Sequence, residues 1–231
     1  MDLQNIVELD RQLLLTVNGS ESLYLDMLAQ CLTSAFTWIP LYAALFFLVL
    51  KNNDSVAKIL LIVLCAALCV LFAGTVDDTI VKPLVARWRP THDPQIGALV
   101  DVVDGYRGGR FGFFSAHACN TFSIAVFFSL LVRSRLLTIA LLFWSLTNCW
   151  TRLYLGVHFP GDILVGLLWG AVVGASVYLL FTRISRPLST GMTFISSKFT
   201  SKGYQHTDVD VVIVVLVLTY IYSLIRSCII L

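Results

Sequence analysis

The chain has 231 residues, of which 58% are hydrophobic and only 13% are charged. A soluble domain carries roughly a quarter charged residues, so this composition is typical of an integral membrane protein. The net charge of +2 comes without a basic block or interleaved aromatic and basic residues, which argues against a nucleic-acid partner.

The N-terminal segment, residues 1–22, predicts an amphipathic helix rather than a signal peptide. It carries acidic residues where a signal peptide needs positive charge, and it lacks a continuous apolar core. Its apolar residues recur at helical spacing, so we expect an interfacial helix that lies along the membrane surface. The apolar face consists of Ile6, Val7, Leu9, Leu13, Leu14 and Val17.

Apolar segments of membrane-spanning length follow, since a span needs about 20 residues, with a range of about 17 to 25. The candidate spans are Met27–Leu50, Ile59–Val76, Ser115–Val132, Leu136–Trp150, Ile163–Thr182 and Val209–Ile225. We therefore predict an all-α fold, a polytopic membrane helical bundle of about six transmembrane helices. Its parts are a membrane domain at 23–182, a cytoplasmic connector at 183–207 and an additional C-terminal transmembrane helix at 208–231.

The distribution of lysine and arginine predicts the orientation of the bundle. Segments 51–58, 133–135 and 183–207 are rich in basic residues, which places them in the cytoplasm by the positive-inside rule. Segments 77–114 and 151–162 then face outward, although they also carry basic residues. Basic residues on the outer side need a local reason, and an anionic ligand is such a reason.

Three outward cations have the chemistry of a phosphate site. Lys82 offers a compact ammonium, and the planar guanidinium groups of Arg89 and Arg152 match phosphate oxygens in pairs. Each of them alone is better explained as an interfacial side chain that reaches the lipid headgroups. Together with His117 and His158 on the same predicted face, they favour a binding site.

Ser115 and His117 open the third predicted span. If Ser115 is the N-cap, the free N–H groups of this helix end attract an anion. The alternative is that Ser115 is only a cap and His117 only a polar group in the headgroup layer.

A second histidine, His158, precedes the fifth predicted span. Pro160 suits the first turn of that helix, which places Asp162 in the same turn. Asp162 can then accept the Nδ1–H of His158 and leave Nε2 free to attack. The alternative is that Asp162 only complements the helix dipole and His158 is an interface residue.

The combined pattern resembles the three-part signature of the type 2 phosphatidic acid phosphatase (PAP2) superfamily. The matching pieces are Lys82-x6-Arg89-Pro90, Ser115-x-His117 and Arg152-x5-His158-x3-Asp162. The sequence departs from the family pattern at Phe114, Ala116 and Thr151, where Pro, Gly and Ser are usual. None of these departures removes a group that does chemistry.

The resemblance implies a membrane catalytic domain that hydrolyses a lipid phosphate or diphosphate without metal or other cofactor. His158 would attack phosphorus and form a phosphohistidine, and His117 would protonate the leaving oxygen. The phosphoryl oxygens would be held by Lys82, Arg89, Ser115 and Arg152.

Two features near this signature each have two explanations. Asp78 precedes Lys82 by four residues and can hold the lysine on a continuing helix, although ordinary interface polarity also explains it. The glycine-containing loop Thr91–Phe113 suggests a mobile cover with Arg107 and Arg110 facing the headgroup, and a solvated connector is the alternative.

Several substrates and two other functions stay open at this level. By analogy we put undecaprenyl diphosphate first, followed by phosphatidate or phosphatidylglycerophosphate and lipid A phosphate. A lipid phosphotransferase of the same superfamily would use the same residues. A non-catalytic transporter of anionic lipid usually has polar features near the midplane, whereas the ionisable residues here lie at span ends. We expect an inner (plasma) membrane protein with an extracytoplasmic site and no obligate protein partner.

Overall fold

The structure is a computed structural model that describes residues 3–186 and 197–229. Its regular elements in these ranges are all helical, so the predicted all-α fold is confirmed. Short 3-10 turns occur at Ala35–Trp38, Pro90–His92 and Val103–Gly105. The main helices are α1 (Leu3–Val17), α2 (Leu23–Thr33), α3 (Ile39–Lys51), α4 (Val56–Val85), α5 (Ala116–Val132), α6 (Arg135–Tyr154), α7 (Pro160–Ser185) and α8 (His206–Ile229).

The polytopic prediction is confirmed, and the number of full-length spans is smaller than predicted. Among the described helices, α4, α6, α7 and α8 are long and apolar enough to cross a membrane. The first predicted span is broken, because α2 and α3 meet at an angle of 65° and count as a fifth span only together. Helix α5 has 17 residues, at the lower limit for a span.

The break between α2 and α3 is stabilised by side chains that replace helical hydrogen bonds. Thr37 donates its hydroxyl to the carbonyl of Cys31 at 2.6 Å, and the Trp38 indole donates to the carbonyl of Leu32 at 2.9 Å. The carbonyl groups that the bend frees therefore have donors. Thr33 is left at the bend, where its hydroxyl contacts the candidate site.

Helix α4 continues nine residues beyond the predicted end of its span and contains two π-helical turns, Leu71–Thr75 before that end and Asp77–Val81 after it. In the second turn the backbone N–H of Lys82 donates to the carbonyl of Asp77, five residues earlier. A π turn brings residues i and i+5 together, which a regular α-helix does not. Asp77 and Lys82 therefore lie side by side on the inner face of the helix.

Helices α5 and α7 approach each other closely along a row of glycines in α7. A Cβ atom at Gly170 would lie 2.6 Å from the carbonyl oxygen of Cys119, and one at Gly174 would lie 2.5 Å from that of Ser123. Small residues at four-residue spacing allow such contact between helices in a membrane. The contact aligns the first turns of α5 and α7 at one end of the bundle.

The predicted N-terminal amphipathic helix is confirmed as α1. Leu14 is buried against Phe159, while Leu9 and Leu13 on the other face are exposed. Just after the helix, Asn18 donates its side-chain amide to the carbonyl of Tyr154 at 2.8 Å. Helix α1 therefore packs against the end of the bundle at which α6 ends and α7 begins.

The opposite end of the bundle is closed by contacts between the α3–α4 turn and the start of α8. Asn52 donates its amide to Asp208 at 3.0 Å, and Asn53 donates to the hydroxyl of Tyr204 at 3.3 Å. The predicted connector 183–207 lies partly outside the described residues. Of its described residues, 183–185 are part of α7, 206 and 207 are part of α8, and 197–205 belong to this end.

Candidate active site

The three pieces of the signature meet at the end of the bundle that α1 covers. Lys82 and Arg89 come from the end of α4 and the loop after it. Arg152 lies in the last turn of α6, His158 lies in the chain between α6 and α7, and the other residues lie in the first turns of α5 and α7. Most of these side chains are buried, with exposures of 0% for Ser115, 2% for Arg152, 1% for His158 and 0% for Asp162. Buried polar groups need partners, so their contacts report what the site can bind.

His158 presents an unprotonated ring nitrogen to a cation. Its Nε2 lies 3.2 Å from Nη1 of Arg89. A guanidinium nitrogen can only donate, so Nε2 must accept, and the proton of the neutral ring is on Nδ1. Burial, followed by the positive charges of Arg89 and Arg152, lowers the pKa of His158 well below its usual value. The ring is therefore neutral, with the lone pair of Nε2 facing the cations.

Asp162 lies beside His158 without the short hydrogen bond that the sequence suggested. Its Oδ2 is 3.6 Å from Nδ1 of His158, which is longer than a hydrogen bond. The same oxygen accepts the backbone N–H of Phe159 at 2.9 Å, and Oδ1 accepts Nη1 of Arg87 at 2.8 Å. The carboxylate is fixed by these two donors, and its negative charge still faces the protonated side of the imidazole.

The guanidinium of Arg152 has only part of its hydrogen-bonding capacity in use. Its Nη2 donates to the hydroxyl of Tyr106 at 2.9 Å, and Nη1 donates to the hydroxyl of Thr33. Its Nε is buried and has no partner among the described residues. Arg152 therefore has donors available for an anion.

Arg89 is held by backbone carbonyls around it. Its Nε donates to the carbonyl of Phe111 at 3.1 Å, and Nη1 donates to that of Val157 at 3.2 Å. Burial and then the charge of Arg152 lower the pKa of Arg89. A Cβ atom at Gly108 would lie 2.9 Å from Nη1 of Arg89, so the loop backbone passes directly over the guanidinium.

Lys82 lies between two carboxylates. Its ammonium is 2.8 Å from Oδ2 of Asp77 and also contacts Asp78. Asp77 additionally accepts the backbone N–H of Phe114 at 3.0 Å, which ties α4 to the start of α5. The contact with Asp78 agrees with its predicted spacing, whereas the contact with Asp77 depends on the π turn. Among the described residues no three His, Cys, Asp or Glu side chains form a group suited to a metal ion.

Ser115 is the N-cap of α5. Its hydroxyl oxygen accepts the N–H of Ala118 at 3.4 Å, which leaves the hydroxyl hydrogen available to a ligand. Its own backbone N–H donates to the carbonyl of Asp162 at 3.1 Å. His117 lies in the first turn of α5, partly buried and within electrostatic range of Arg152 and the other site cations.

The two arginines assigned to the loop Thr91–Phe113 lie outside this cluster. Arg107 is exposed and donates to the carbonyl of Thr91 at 3.0 Å, and Arg110 stacks on Trp88 with 4.3 Å between the guanidinium carbon and the ring centre. The loop contacts the signature through the side chain of Tyr106 at Arg152 and through the backbone carbonyls of Arg110 and Phe111 at Arg89. A headgroup role for Arg107 and Arg110 stays a prediction.

Sequence reasoning missed five residues that contact the signature. The missed residues are Asp10, Thr33, Asp77, Arg87 and Tyr106. Arg87 stands inside the first motif and its charge was visible, but its partners lie far away in the sequence. Thr33 lay inside the first predicted span and Tyr106 inside an outward segment, and neither carried a signal beyond being polar.

The fold and the site define a polytopic helical membrane protein with a buried, cation-lined histidine site at one end of its bundle. The PAP2 superfamily matches this chain over residues 58–186. The chain therefore belongs to the PAP2 superfamily, in its branch of membrane lipid phosphatases, which confirms the resemblance.

Individual relatives agree with this placement. The chain is 37% identical to the lipid A 4'-phosphatase of Bacteroides thetaiotaomicron over 224 residues, which are 95% of this chain and 97% of the relative. It is 37% identical to the lipid A 4'-phosphatase of Porphyromonas gingivalis over 182 residues, 78% of this chain and 75% of the relative. A decaprenylphosphoryl-5-phosphoribose phosphatase of Mycobacterium tuberculosis is 36% identical over 106 residues, 46% of this chain and 54% of the relative. No solved structure matches the chain.

Proposed function

We propose that the protein hydrolyses the phosphate monoester of lipid A through a phosphohistidine on His158. The observation that carries this proposal is the contact between Nε2 of His158 and Nη1 of Arg89 at 3.2 Å. It requires an unprotonated nitrogen beside a cation, which is the arrangement that a nucleophile for a phosphate group needs. A phosphate oxygen can replace Nε2 as the acceptor of Arg89 while phosphorus approaches Nε2.

The first chemical step forms a nitrogen–phosphorus bond and breaks the bond from phosphorus to the lipid oxygen. His117 gives its proton to that leaving oxygen, and the imidazole of His158 becomes positively charged. The carboxylate of Asp162, 3.6 Å from Nδ1, stabilises this charge. In the second step His117 takes a proton from water as the water oxygen attacks phosphorus, the nitrogen–phosphorus bond breaks, and inorganic phosphate leaves with both histidines back in their starting states.

In the transition state, the phosphoryl group that is being transferred is stabilised by fixed positive groups. Lys82, Arg89 and Arg152 surround the histidine, and Ser115 offers its hydroxyl and the start of a helix. Such preorganised donors act where charge is spread over the phosphoryl oxygens. We expect the reaction to proceed without a divalent ion, because these groups supply the positive charge.

We assign lipid A phosphate as the substrate on the basis of similarity to the relatives. The two lipid A 4'-phosphatases align with most of this chain, whereas the decaprenylphosphoryl-5-phosphoribose phosphatase aligns with 46% of it. This reverses the order that the superfamily alone suggested, in which undecaprenyl diphosphate came first. A phosphotransferase that delivers the same phosphoryl group to an acceptor lipid is the alternative.

The site is proposed to face the outer side of the inner membrane. The support is the excess of lysine and arginine in segments 51–58, 133–135 and 183–207. Segment 51–58 lies at the end of the bundle opposite His158. Cysteine labelling in intact cells tests this orientation, with Asp54→Cys or Asp104→Cys introduced one at a time and the exposed native Cys228 changed to Ser. We expect an impermeant reagent to label the cysteine at position 104 and not the one at position 54.

The function is tested by phosphate release from purified protein in detergent. The substrates are lipid A, undecaprenyl diphosphate, phosphatidate and phosphatidylglycerophosphate, each with excess EDTA. We expect EDTA-resistant release that is fastest from lipid A and is abolished in His158→Ala. Loss of phosphate from lipid A only after an acceptor lipid is added, with the phosphoryl group recovered on that acceptor and not as inorganic phosphate, would favour the phosphotransferase. Faster release from another lipid would overturn the substrate assignment.

A further inference from the structure

Helix α1 contributes a carboxylate to the surroundings of the candidate nucleophile. Oδ2 of Asp10 lies 2.6 Å from Nη2 of Arg87, and Nη1 of the same guanidinium lies 2.8 Å from Oδ1 of Asp162. Oδ1 of Asp10 also accepts the backbone N–H of Gly161 at 2.7 Å. Arg87 therefore bridges two carboxylates, one from α1 and one from the first turn of α7.

This bridge is sheltered from solvent. The side chain of Asp10 is 12% exposed, that of Arg87 is 25% exposed and that of Asp162 is fully buried. The guanidinium carbon of Arg87 lies 4.3 Å from the centre of the Phe159 ring, which fixes the plane of the group. A charged network that is sheltered from solvent holds its side chains in one conformation more firmly than an exposed ion pair does.

The direction of Asp162 depends on this network. One carboxylate oxygen is held by Phe159 N–H and faces Nδ1 of His158, and the other is held by Arg87 alone. Without Asp10, the guanidinium of Arg87 would lose the partner that holds its second nitrogen. Asp162 could then rotate toward Arg87 and away from His158.

We propose that Asp10 is a positioning residue, which acts through Arg87 to hold Asp162 against His158. The inference rests on the proposed function, since it uses the role of Asp162 beside the nucleophile. Residue 10 lies outside the range 58–186 that matches the superfamily, so the signature does not contain this contact. Helix α1 thereby takes part in positioning the catalytic groups, in addition to its predicted place at the membrane surface.

The simplest competing explanation is that Asp10 only docks α1 on the bundle. The chain offers a control for docking, because the neighbouring Arg11 also ties α1 to the bundle through an ion pair with Asp93 at 3.1 Å. Arg11→Gln breaks that pair without touching Arg87. Glu8→Gln is a matched loss of one carboxylate on the same helix, at an exposed position whose hydrogen bond is to Gln12.

The experiment measures kcat, KM and Tm for Asp10→Asn, Arg11→Gln and Glu8→Gln with lipid A in detergent. We expect Asp10→Asn to lower kcat about 10-fold with KM within about 2-fold of the parent, because misplacing a catalytic group by about 1 Å costs up to about 100-fold. Glu8→Gln should keep both constants. Arg11→Gln should lower Tm at least as much as Asp10→Asn and lower kcat far less.

A second variant keeps the test informative if Asp10→Asn does not fold. Arg87→Lys retains the charge but lacks the fork that reaches two carboxylates, and it should lose kcat to the same extent. The double variant should be no worse than the poorer single one, because both changes break the same link. Unchanged kcat in either single variant, or an equal loss in Arg11→Gln, would overturn the proposal.

The parent protein and His158→Ala are assayed in the same preparations. An active parent and an inactive His158→Ala, together with a fully active Asp10→Asn, would reject the role of Asp10 and leave the proposed function standing. Activity that survives in His158→Ala would reject the proposed function itself, and with it the proposal for Asp10.

Discussion

The backbone N–H of Ser115 donates a hydrogen bond of 3.1 Å to the carbonyl of Asp162. This bond joins the first turns of α5 and α7, which carry two of the three pieces of the signature. Below it the two helices touch along the glycines of α7, with Gly166 placed directly against the carbonyl of Ser115. The position of Ser115 relative to His158 is therefore set by how closely the two helices can approach.

Widening this contact is predicted to harm both stability and activity. Gly170→Val places a side chain where a Cβ atom would already lie 2.6 Å from the carbonyl oxygen of Cys119, so α5 has to move. Overpacking of this kind costs about 1–3 kcal/mol, and we expect a lower Tm together with a lower kcat. Leu168→Val, at a side chain that is 68% exposed, is the matched control and should change neither. A Gly170→Val protein with parental Tm and kcat would contradict this account of the packing.

The two acids beside Lys82 are predicted to differ sharply in importance. Asp77 is fully buried and also holds the N–H of Phe114, whereas the Asp78 side chain is 60% exposed. Breaking a buried ion pair costs about 3–5 kcal/mol, and an exposed pair contributes about 0–1 kcal/mol. Asp77→Asn should therefore lower Tm and raise KM for lipid A, with much smaller effects in Asp78→Asn. Equal effects in the two variants would argue against the π turn that brings Asp77 to Lys82.

Tyr106 is predicted to compete with the substrate for Arg152. Its hydroxyl accepts Nη2 of Arg152 at 2.9 Å, a donor that a phosphate oxygen would use. Removing the hydroxyl in Tyr106→Phe should tighten inhibition by orthovanadate about 5-fold, on the scale of about 1 kcal/mol for one hydrogen bond. Tyr24→Phe is the matched control, since its hydroxyl makes only a 3.5 Å contact with the carbonyl of Leu224. Weaker inhibition in Tyr106→Phe would mean that this hydroxyl itself donates to the bound anion.

The surroundings of His158 predict the pH range in which its ring becomes protonated. Because burial and the neighbouring cations lower the pKa of His158 well below its usual value of about 6.5, the ring should stay neutral as the pH falls through that value. Protonation of Nε2 removes the lone pair that attacks phosphorus. Because the pKa is lowered, this loss of the nucleophile occurs at a lower pH than for an ordinary histidine. The measurement is the ring nitrogen signal of His158 in labelled protein in micelles, assigned by its absence in His158→Gln. A titration midpoint near pH 6.5 would contradict the buried, cation-lined site.

Much of the fold and of the site could be predicted from the sequence, because both rest on strong local signals. The apolar runs predicted the helices, and Pro160 and Ser115 predicted the first turn of α7 and the cap of α5. The shared outward face and the resemblance of the motifs to the superfamily signature were the grounds for grouping the site residues, and their catalytic roles stay a prediction. Gly166, Gly170 and Gly174 also carried a readable packing signal at four-residue intervals.

The contacts that the sequence did not predict depend on irregular backbone or on distant partners. Asp77 reaches Lys82 only because α4 contains a π turn, and no sequence pattern predicted that turn. Asp10 meets Arg87 only after α1 has docked on the bundle. The distance between Asp162 and His158 is set by Arg87 and the N–H of Phe159, which local spacing does not contain.

The most direct test of the account is to trap the intermediate. Lipid A labelled in its phosphate is mixed with the enzyme, quenched in alkali, in which phosphohistidine survives, and the labelled peptide is identified by mass spectrometry. We expect the label on His158, at a level that decays as phosphate is released, and no label in His158→Ala. Label on another residue, or phosphate release from His158→Ala at the parental rate, would contradict the central claim.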